Sequence, residues 1–136
     1  GRKGSAEAQG ALSSHYYRIL QQQAKKEGKK VTPKTPGLDA MTRGCLGGIS
    51  FCFISHVGQV QPCGYLELNC GNEREQPFRE IWMKSEIFQD HRNTDGYRGK
   101  CGRCEFRKDC GGCRARAYEL SGDYMAEEPY CIYEPI

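Results

Sequence analysis

Cys101-Gly102-Arg103-Cys104, five further residues, Cys110-Gly111-Gly112-Cys113 and, beyond a helical-looking run, Cys131 form the stretch that decides how this chain folds. Four thiols fall within thirteen residues, and two glycines separate the last pair. Neighbouring thiols on a tight turn aim their sulfurs inward, and glycine lets the backbone approach closely enough to donate N–H groups to sulfur. The stretch therefore reads as a loop wrapped around a metal ion or an iron–sulfur cluster.

Composition supports metal ligation over disulfides. Nine cysteines are an odd number, so complete pairing leaves one thiol over. Secreted disulfide scaffolds are also usually shorter and carry a signal sequence, and none opens this chain. A reducing cytoplasm is the default compartment. With 136 residues and 38% hydrophobic content, one domain of ordinary core size is expected. The charged content of 27% and net charge of +3 demand neither a nucleic-acid nor a membrane partner. No apolar run approaches the roughly 18 residues of a membrane span. Lys25, Lys26, Lys29, Lys30 and Lys34 concentrate the early basic charge and read as a solvated helix face or linker. The opening Gly1-Arg2-Lys3-Gly4-Ser5 reads as a truncation boundary, and the chain as a piece of a longer protein.

Upstream of the cysteine loop, residues 11–27 lack proline and glycine and are rich in helix formers, with Ser13 or Ser14 as cap and Gly28 as stop. Tyr16, Ile19, Leu20 and Gln23 share the face expected to dock. His15, alone on this helix, reads more readily as a surface residue than as a ligand. Residues 31–43, with Pro33, Pro36 and Gly37, read as a linker. Two short strands, 49–55 and 60–63, flank a tight turn at Gly58. If Val57 and Gly58 are the turn residues, Ser55 faces Val60 and Cys52 faces Cys63. Opposed residues share a face at roughly 4.5–5.5 Å between Cβ atoms, which suits two ligands of one cluster, and a one-residue slip breaks the pairing. Cys45 folds back to join them.

Pro77 to His91 is expected as one helix with Phe78, Ile81, Trp82, Ile87 and Phe88 as its apolar stripe. Another helix runs from Arg114 to Leu120 and ends at Ser121-Gly122, and an irregular tail follows that Cys131 pins to the core. The fold class is small α+β: an N-terminal helix, a short β-hairpin, bridging helices and cysteine-rich loops organised around metal clusters. Residues 1–44 form the helix and linker, and residues 45–136 the double-cluster unit.

Paired C-x2-C motifs also suit a structural zinc site, although zinc ribbons usually separate their pairs by more than the five residues seen here. A compact loop is better matched to a multi-iron cage. Cys45, twelve residues, Gly58, four residues, Cys63, then Cys101-x2-Cys104-x5-Cys110-x2-Cys113 and a late Cys131 closely resembles the SPASM domain, the C-terminal auxiliary-cluster extension of radical S-adenosylmethionine enzymes. The one departure is that the family's last pair usually encloses three residues, where this chain has Gly111 and Gly112 alone.

The resemblance implies two [4Fe-4S] clusters with interleaved ligands. Cluster one uses Cys45, Cys52, Cys63 and Cys113; cluster two uses Cys101, Cys104, Cys110 and Cys131. Cys70 is then spare. Zinc is a possible substitute in aerobic preparations, and the metal-free unit is expected to be largely unfolded. The wording around Cys45, around Cys52 and over Gly122–Cys131 is similar to the subgroup acting in haem d1 and alternative haem biosynthesis, which implies an iron-tetrapyrrole substrate and an electron donor.

No C-x3-C-x2-C motif occurs in the chain. S-adenosylmethionine is therefore assigned only to a missing radical core domain of the same protein, and this chain alone is expected to be inactive. All-cysteine ligation favours electron transfer over substrate ligation. Arg43, Arg98, Arg114 and Arg116 are candidates for pairing with substrate propionates. The competing classes are a structural zinc module that binds a protein or nucleic-acid partner, and a disulfide-stapled secreted domain.

Overall fold

The computed structural model describes residues 14–29 and 43–136. Ser13, Lys30, Lys34 and almost all of the expected linker lie outside them. The described elements are α1 (Ser14–Lys26), β1 (Phe53–Ile54), β2 (Gln59–Gln61), β3 (Gly71–Asn72), α2 (Phe78–Lys84), α3 (Glu86–Arg92), a 3-10 turn (Thr94–Gly96), α4 (Gly99–Arg103) and α5 (Arg114–Ser121). The expected small α+β class holds.

The strands form one antiparallel sheet in the order β1-β2-β3, with a third strand that the sequence reading lacked. Phe53 pairs with Gln61 and Ile54 with Val60. This corrects the expected hairpin register by one residue. Ser55 closes the ladder by accepting the Gly58 N–H at 2.9 Å and donating to the Gln59 carbonyl at 2.9 Å, so the turn holds three residues, not two. Cys52 and Cys63 consequently do not oppose each other. β3 adds Gly71 opposite Val60.

The expected helix from Pro77 to His91 is two helices. Ser85 is extended, with φ −61° and ψ 124°, and ends α2 while preceding α3. The broken turn is bridged by Gln89 Nε2 donating to the Met83 carbonyl at 3.2 Å. The corner lets both helices reach the sheet. Val60, Cys70, Ile81 and Phe88 form the apolar core, with Cys52, Trp82 and Ile87 against it. Phe78 stays largely exposed. The Arg92 guanidinium lies 4.4 Å from the Trp82 ring centroid and covers the core from outside.

α1 docks by a different face from the one expected. Ser14 and Arg18, four residues apart, are its buried positions, whereas Tyr16 and Ile19 are 40% and 42% exposed. The physical reason is its seat. α1 lies against the polar cysteine loop, with Gln21 Nε2 donating to Asp109 Oδ1 at 3.4 Å and Arg18 stacked 5.0 Å over the Tyr133 ring. Gly44 passes between them and donates its N–H to the Asp109 carbonyl at 2.8 Å.

Candidate metal centre

Cys101 lies in α4, Cys104 follows its end, Cys110 precedes the glycine pair, and Cys131 comes from the tail. All four line one cavity, which His15 and Arg18 of α1 help to wall. Backbone and side-chain donors point at these sulfurs. Gly112 N–H donates to Cys110 Sγ at 3.4 Å, and Glu128 N–H and Arg114 Nη2 donate to Cys101 Sγ at 3.3 and 3.5 Å. Burial pushes the Cys110 thiol up to about 11, opposed by the Gly112 N–H and reinforced by the neighbouring Cys101 and Cys131. Burial also raises Cys104, with the Phe106 N–H opposing and Cys101 and Cys131 adding to the rise. A thiol nest of this kind releases protons when it takes up metal.

The cysteines assigned to cluster one, the first set, gather beside the sheet. Cys63 is raised first by burial; the Tyr65 N–H lowers it, and the nearby Cys45 and Cys113 raise it further. Cys45 is tied to the cysteine loop by donating its N–H to the Cys110 carbonyl at 3.0 Å. Cys52 takes a different neighbour. It packs on the apolar core that holds Cys70, and burial pushes the Cys70 thiol up to about 11, eased by a bond with Ser85. The slipped register is the cause.

Gly111 and Gly112 part the two sets. Both occupy the left-handed region, at φ 73° and 61°, so the chain reverses between Cys110 and Cys113 and sends the two sulfurs to different groups. Neither position has room for a side chain. A Cβ on Gly112 would lie 2.6 Å from Arg114 Nη2 and 2.8 Å from Glu128 Cβ, and one on Gly111 2.1 Å from Arg43 Nη2. The shortened spacing thus still separates its thiols.

The four candidate substrate arginines are placed unequally. Arg114 is corrected: only 2% exposed, it donates from Nη1 to the Tyr124 and Ala126 carbonyls at 3.1 and 2.7 Å and reaches no surface. Arg43 turns inward to the Arg107 carbonyl at 3.1 Å. Arg98 forms a two-pronged pair with Asp123 at 2.7 and 2.8 Å on the surface. Arg116 Nε donates to Glu128 Oε1 at 2.8 Å.

Glu128 is the residue the sequence reading passed over. It is 1% exposed, is paired with Arg116, and has its other oxygen against His15 Nε2. Burial alone would raise its carboxyl; His15 and Arg116 bring it below the usual carboxylate value. His15 is therefore part of the site wall rather than a bystander. The signal was faint: one acidic residue three positions before Cys131.

The donor set fits an iron–sulfur group. Its atoms are thiolate sulfurs met by N–H donors, the environment in which such clusters are held. Cys101, Cys104, Cys110 and Cys131 surround one cavity.

The iron–sulfur cluster-binding domain family called SPASM matches residues 45–113. This chain belongs to the SPASM family. Binding of an iron–sulfur cluster is the family's defining property, and both thiol sets draw on the matched residues. The "AdoMet-dependent heme synthase" of Nitratidesulfovibrio vulgaris is 69% identical over 121 residues, covering 89% of this chain and 33% of that protein. The protein of the same name from Methanosarcina barkeri is 55% identical over 134 residues, covering 98% of this chain and 38% of its own length. A "PqqA peptide cyclase" of Bradyrhizobium diazoefficiens is 37% identical over 100 residues, covering 68% of this chain and 26% of that protein. The SPASM chain thus spans about a third of the length of the curated relatives it matches. Among the described residues, no helix is long and apolar enough to cross a membrane.

Proposed function

We propose that this chain is the C-terminal auxiliary domain of a radical S-adenosylmethionine enzyme that modifies an iron-tetrapyrrole in haem formation, and that it holds two [4Fe-4S] clusters. The observation that carries this is the parting of Cys110 from Cys113 by Gly111 and Gly112, which yields two thiol sets from one short loop. The names of the relatives from Nitratidesulfovibrio vulgaris and Methanosarcina barkeri support the tetrapyrrole assignment.

Cys101, Cys104, Cys110 and Cys131 would hold one cluster; Cys45, Cys63, Cys113 and Cys52 would hold the other. When bound, such clusters take up and pass on single electrons. The chain's own residues donate N–H groups to the sulfurs and bury Cys104 and Cys110, with α1 and the tail forming part of the wall around the second set. Arg98 and Arg116, with side chains 63% and 36% exposed, would be the guanidiniums to meet a substrate carboxylate, each giving up part of its pairing with Asp123 or Glu128 to do so. Cleavage of S-adenosylmethionine belongs to a radical core domain outside these residues, which contain no C-x3-C-x2-C motif. That core and an electron donor are the proposed partners.

The test is iron, sulfide and zinc analysis with an absorption spectrum on protein purified without oxygen. About eight irons and eight sulfides per chain are expected for two cysteine-held four-iron clusters. Stoichiometric zinc with no iron after anaerobic reconstitution would replace this reading with a structural zinc module. In the full-length enzyme, Arg98→Gln and Arg116→Gln are each expected to weaken tetrapyrrole binding; unchanged affinity in both would remove the substrate role.

A further inference from the structure

Arg114 is a buried cation that lacks a carboxylate. Its residue is 2% exposed at the start of α5, and its guanidinium lies 4.5 Å from the Tyr97 ring centroid, on the face of an aromatic that is itself buried. Nη1 is spent on two backbone carbonyls, Nη2 on Cys101 Sγ, and Nε has no hydrogen-bond partner among the described residues. No ion pair involves it among the described residues. The nearest buried carboxylate, Glu128, is already committed to Arg116 and His15. A charge removed from water without a counter-charge is costly, and arginine is not relieved by losing its proton. The surplus positive charge must therefore be answered by another anion, and the group it touches is the sulfur of Cys101.

We propose that Arg114 is the fixed counter-charge of the cluster held by Cys101, Cys104, Cys110 and Cys131, and that it sets the reduction potential of that cluster above that of its neighbour in the same chain. This rests on the two-cluster reading given above. A one-electron reduction adds negative charge within reach of the guanidinium, so the reduced form gains more from the cation than the oxidised form does. Neutral donors to a cluster's thiolates act in the same direction more weakly, and Glu128 N–H is the second donor to Cys101. The first thiol set has no comparable buried guanidinium bonded to a sulfur among the described residues. Arg114 acts here as a positioning and tuning residue; it does not meet substrate.

The experiment is a reductive titration of the anaerobically loaded chain followed by electron paramagnetic resonance, comparing wild type with Arg114→Gln and Arg114→Lys. Cys104→Ser identifies which signal belongs to the second cluster. The Arg114→Gln chain is expected to hold that cluster at least tenfold less reduced at a fixed potential, a shift of about 59 mV for one electron. The first cluster's potential should stay put, and Arg114→Lys, which keeps the charge, should recover most of the difference. Unchanged potentials in Arg114→Gln, or equal shifts in both clusters, would overturn the proposal. So would loss of the second cluster from both variants, since Arg114 would then be structural only. A wild-type chain that loads no iron would instead overturn the two-cluster reading itself.

Discussion

The two thiol sets differ in what surrounds them. Cys101, Cys104, Cys110 and Cys131 sit inside charged protein: Arg114 and Glu128 are buried beside them, and His15 and Arg18 of α1 form part of the wall. Cys45, Cys63 and Cys113 sit beside a small sheet whose outward residues are apolar and open, with Phe53 44% exposed and Tyr65 74% exposed next to Gly64. Cys104 and Cys110 are buried behind α1 and the loop, whereas Cys45, Cys63 and Cys113 are all partly exposed beside the sheet. Burial raises the electrostatic weight of each fixed charge, so Arg114 and Glu128 count for more beside Cys101 and Cys110 than a surface charge would beside Cys45 and Cys63.

The comparison is most severely tested by removing iron. Both sets tie together segments distant in sequence, and few strand pairs or helix contacts hold those segments otherwise. Anaerobic chelation is expected to abolish the cooperative melting transition, because coordination of a structural metal is worth on the order of 10 kcal/mol in small metal-held domains. A chelated chain that retained its far-ultraviolet dichroism and melting point would show that the protein packing alone holds both sets in place.

Gly112→Ala attacks the point where the sets divide. At φ 61° an added Cβ is strained, and it would press on the Glu128 stem as well as on the Arg114 fork. The cost should be about 1–3 kcal/mol, read as a lower melting temperature of the loaded chain with part of the iron lost. Gly111→Ala should cost less, since the tight contact of its Cβ is with the far end of the flexible Arg43 side chain, beyond the same backbone strain. Equal tolerance of both substitutions would mean that the glycines do not separate the sets.

Much of this arrangement was legible in the sequence because its cause is local. Cysteine spacing, the glycine pair and the helix from Arg114 to Ser121 follow from short-range rules, and each appears as expected. The hairpin register was not legible, since Ser55 satisfies the turn with its own carbonyl and N–H and thereby absorbs an extra residue. The break at Ser85 was not legible either: its extended backbone, with φ −61° and ψ 124°, lets Ile81 and Phe88 of the two helices meet one core, a packing demand set by residues far away in sequence. The docking face of α1 ran against the usual apolar stripe because its seat is the charged wall of a metal site. Periodicity finds faces that meet a greasy core, and Ser14 and Arg18 meet something else.

Cys52 and Cys70 sharpen the comparison on the open side. Cys52 is the proposed fourth ligand of the first set, yet it packs with Cys70 against Val60 and Phe88. Cys52→Ala is expected to lower the iron content by up to one cluster while leaving the second cluster's spectrum intact. Cys70→Ala should keep all the iron and cost about 1 kcal/mol of melting stability, as for a small buried apolar group. If the two variants exchanged these outcomes, Cys70 would be the ligand and Cys52 the packing residue.

The smallest effect concerns His91, which stacks on Tyr124 outside either thiol set. It is 1% exposed, stacked 5.1 Å from the Tyr124 ring centroid, and its Nδ1 faces the Ile87 carbonyl at 2.7 Å, while Nε2 has no partner among the described residues. Burial lowers its proton affinity below the ordinary value of 6.5, with Arg114 and Arg92 adding to the fall and the Ile87 carbonyl and Asp90 opposing it. The unfolded chain therefore takes up this proton at a higher pH than the folded chain does. Stability from the neutral ring is complete above 6.5 and is lost as pH falls towards the folded-state value, by at most about 1.4 kcal/mol per pH unit. His91→Phe keeps a ring against Tyr124 and removes the titration, so the melting temperature of the loaded variant should fall less steeply between pH 7.5 and 5.5 than that of the wild type. Acid loss of iron affects both proteins alike and cancels in their difference. Parallel pH curves for the two would place the acid sensitivity entirely in the thiol sets.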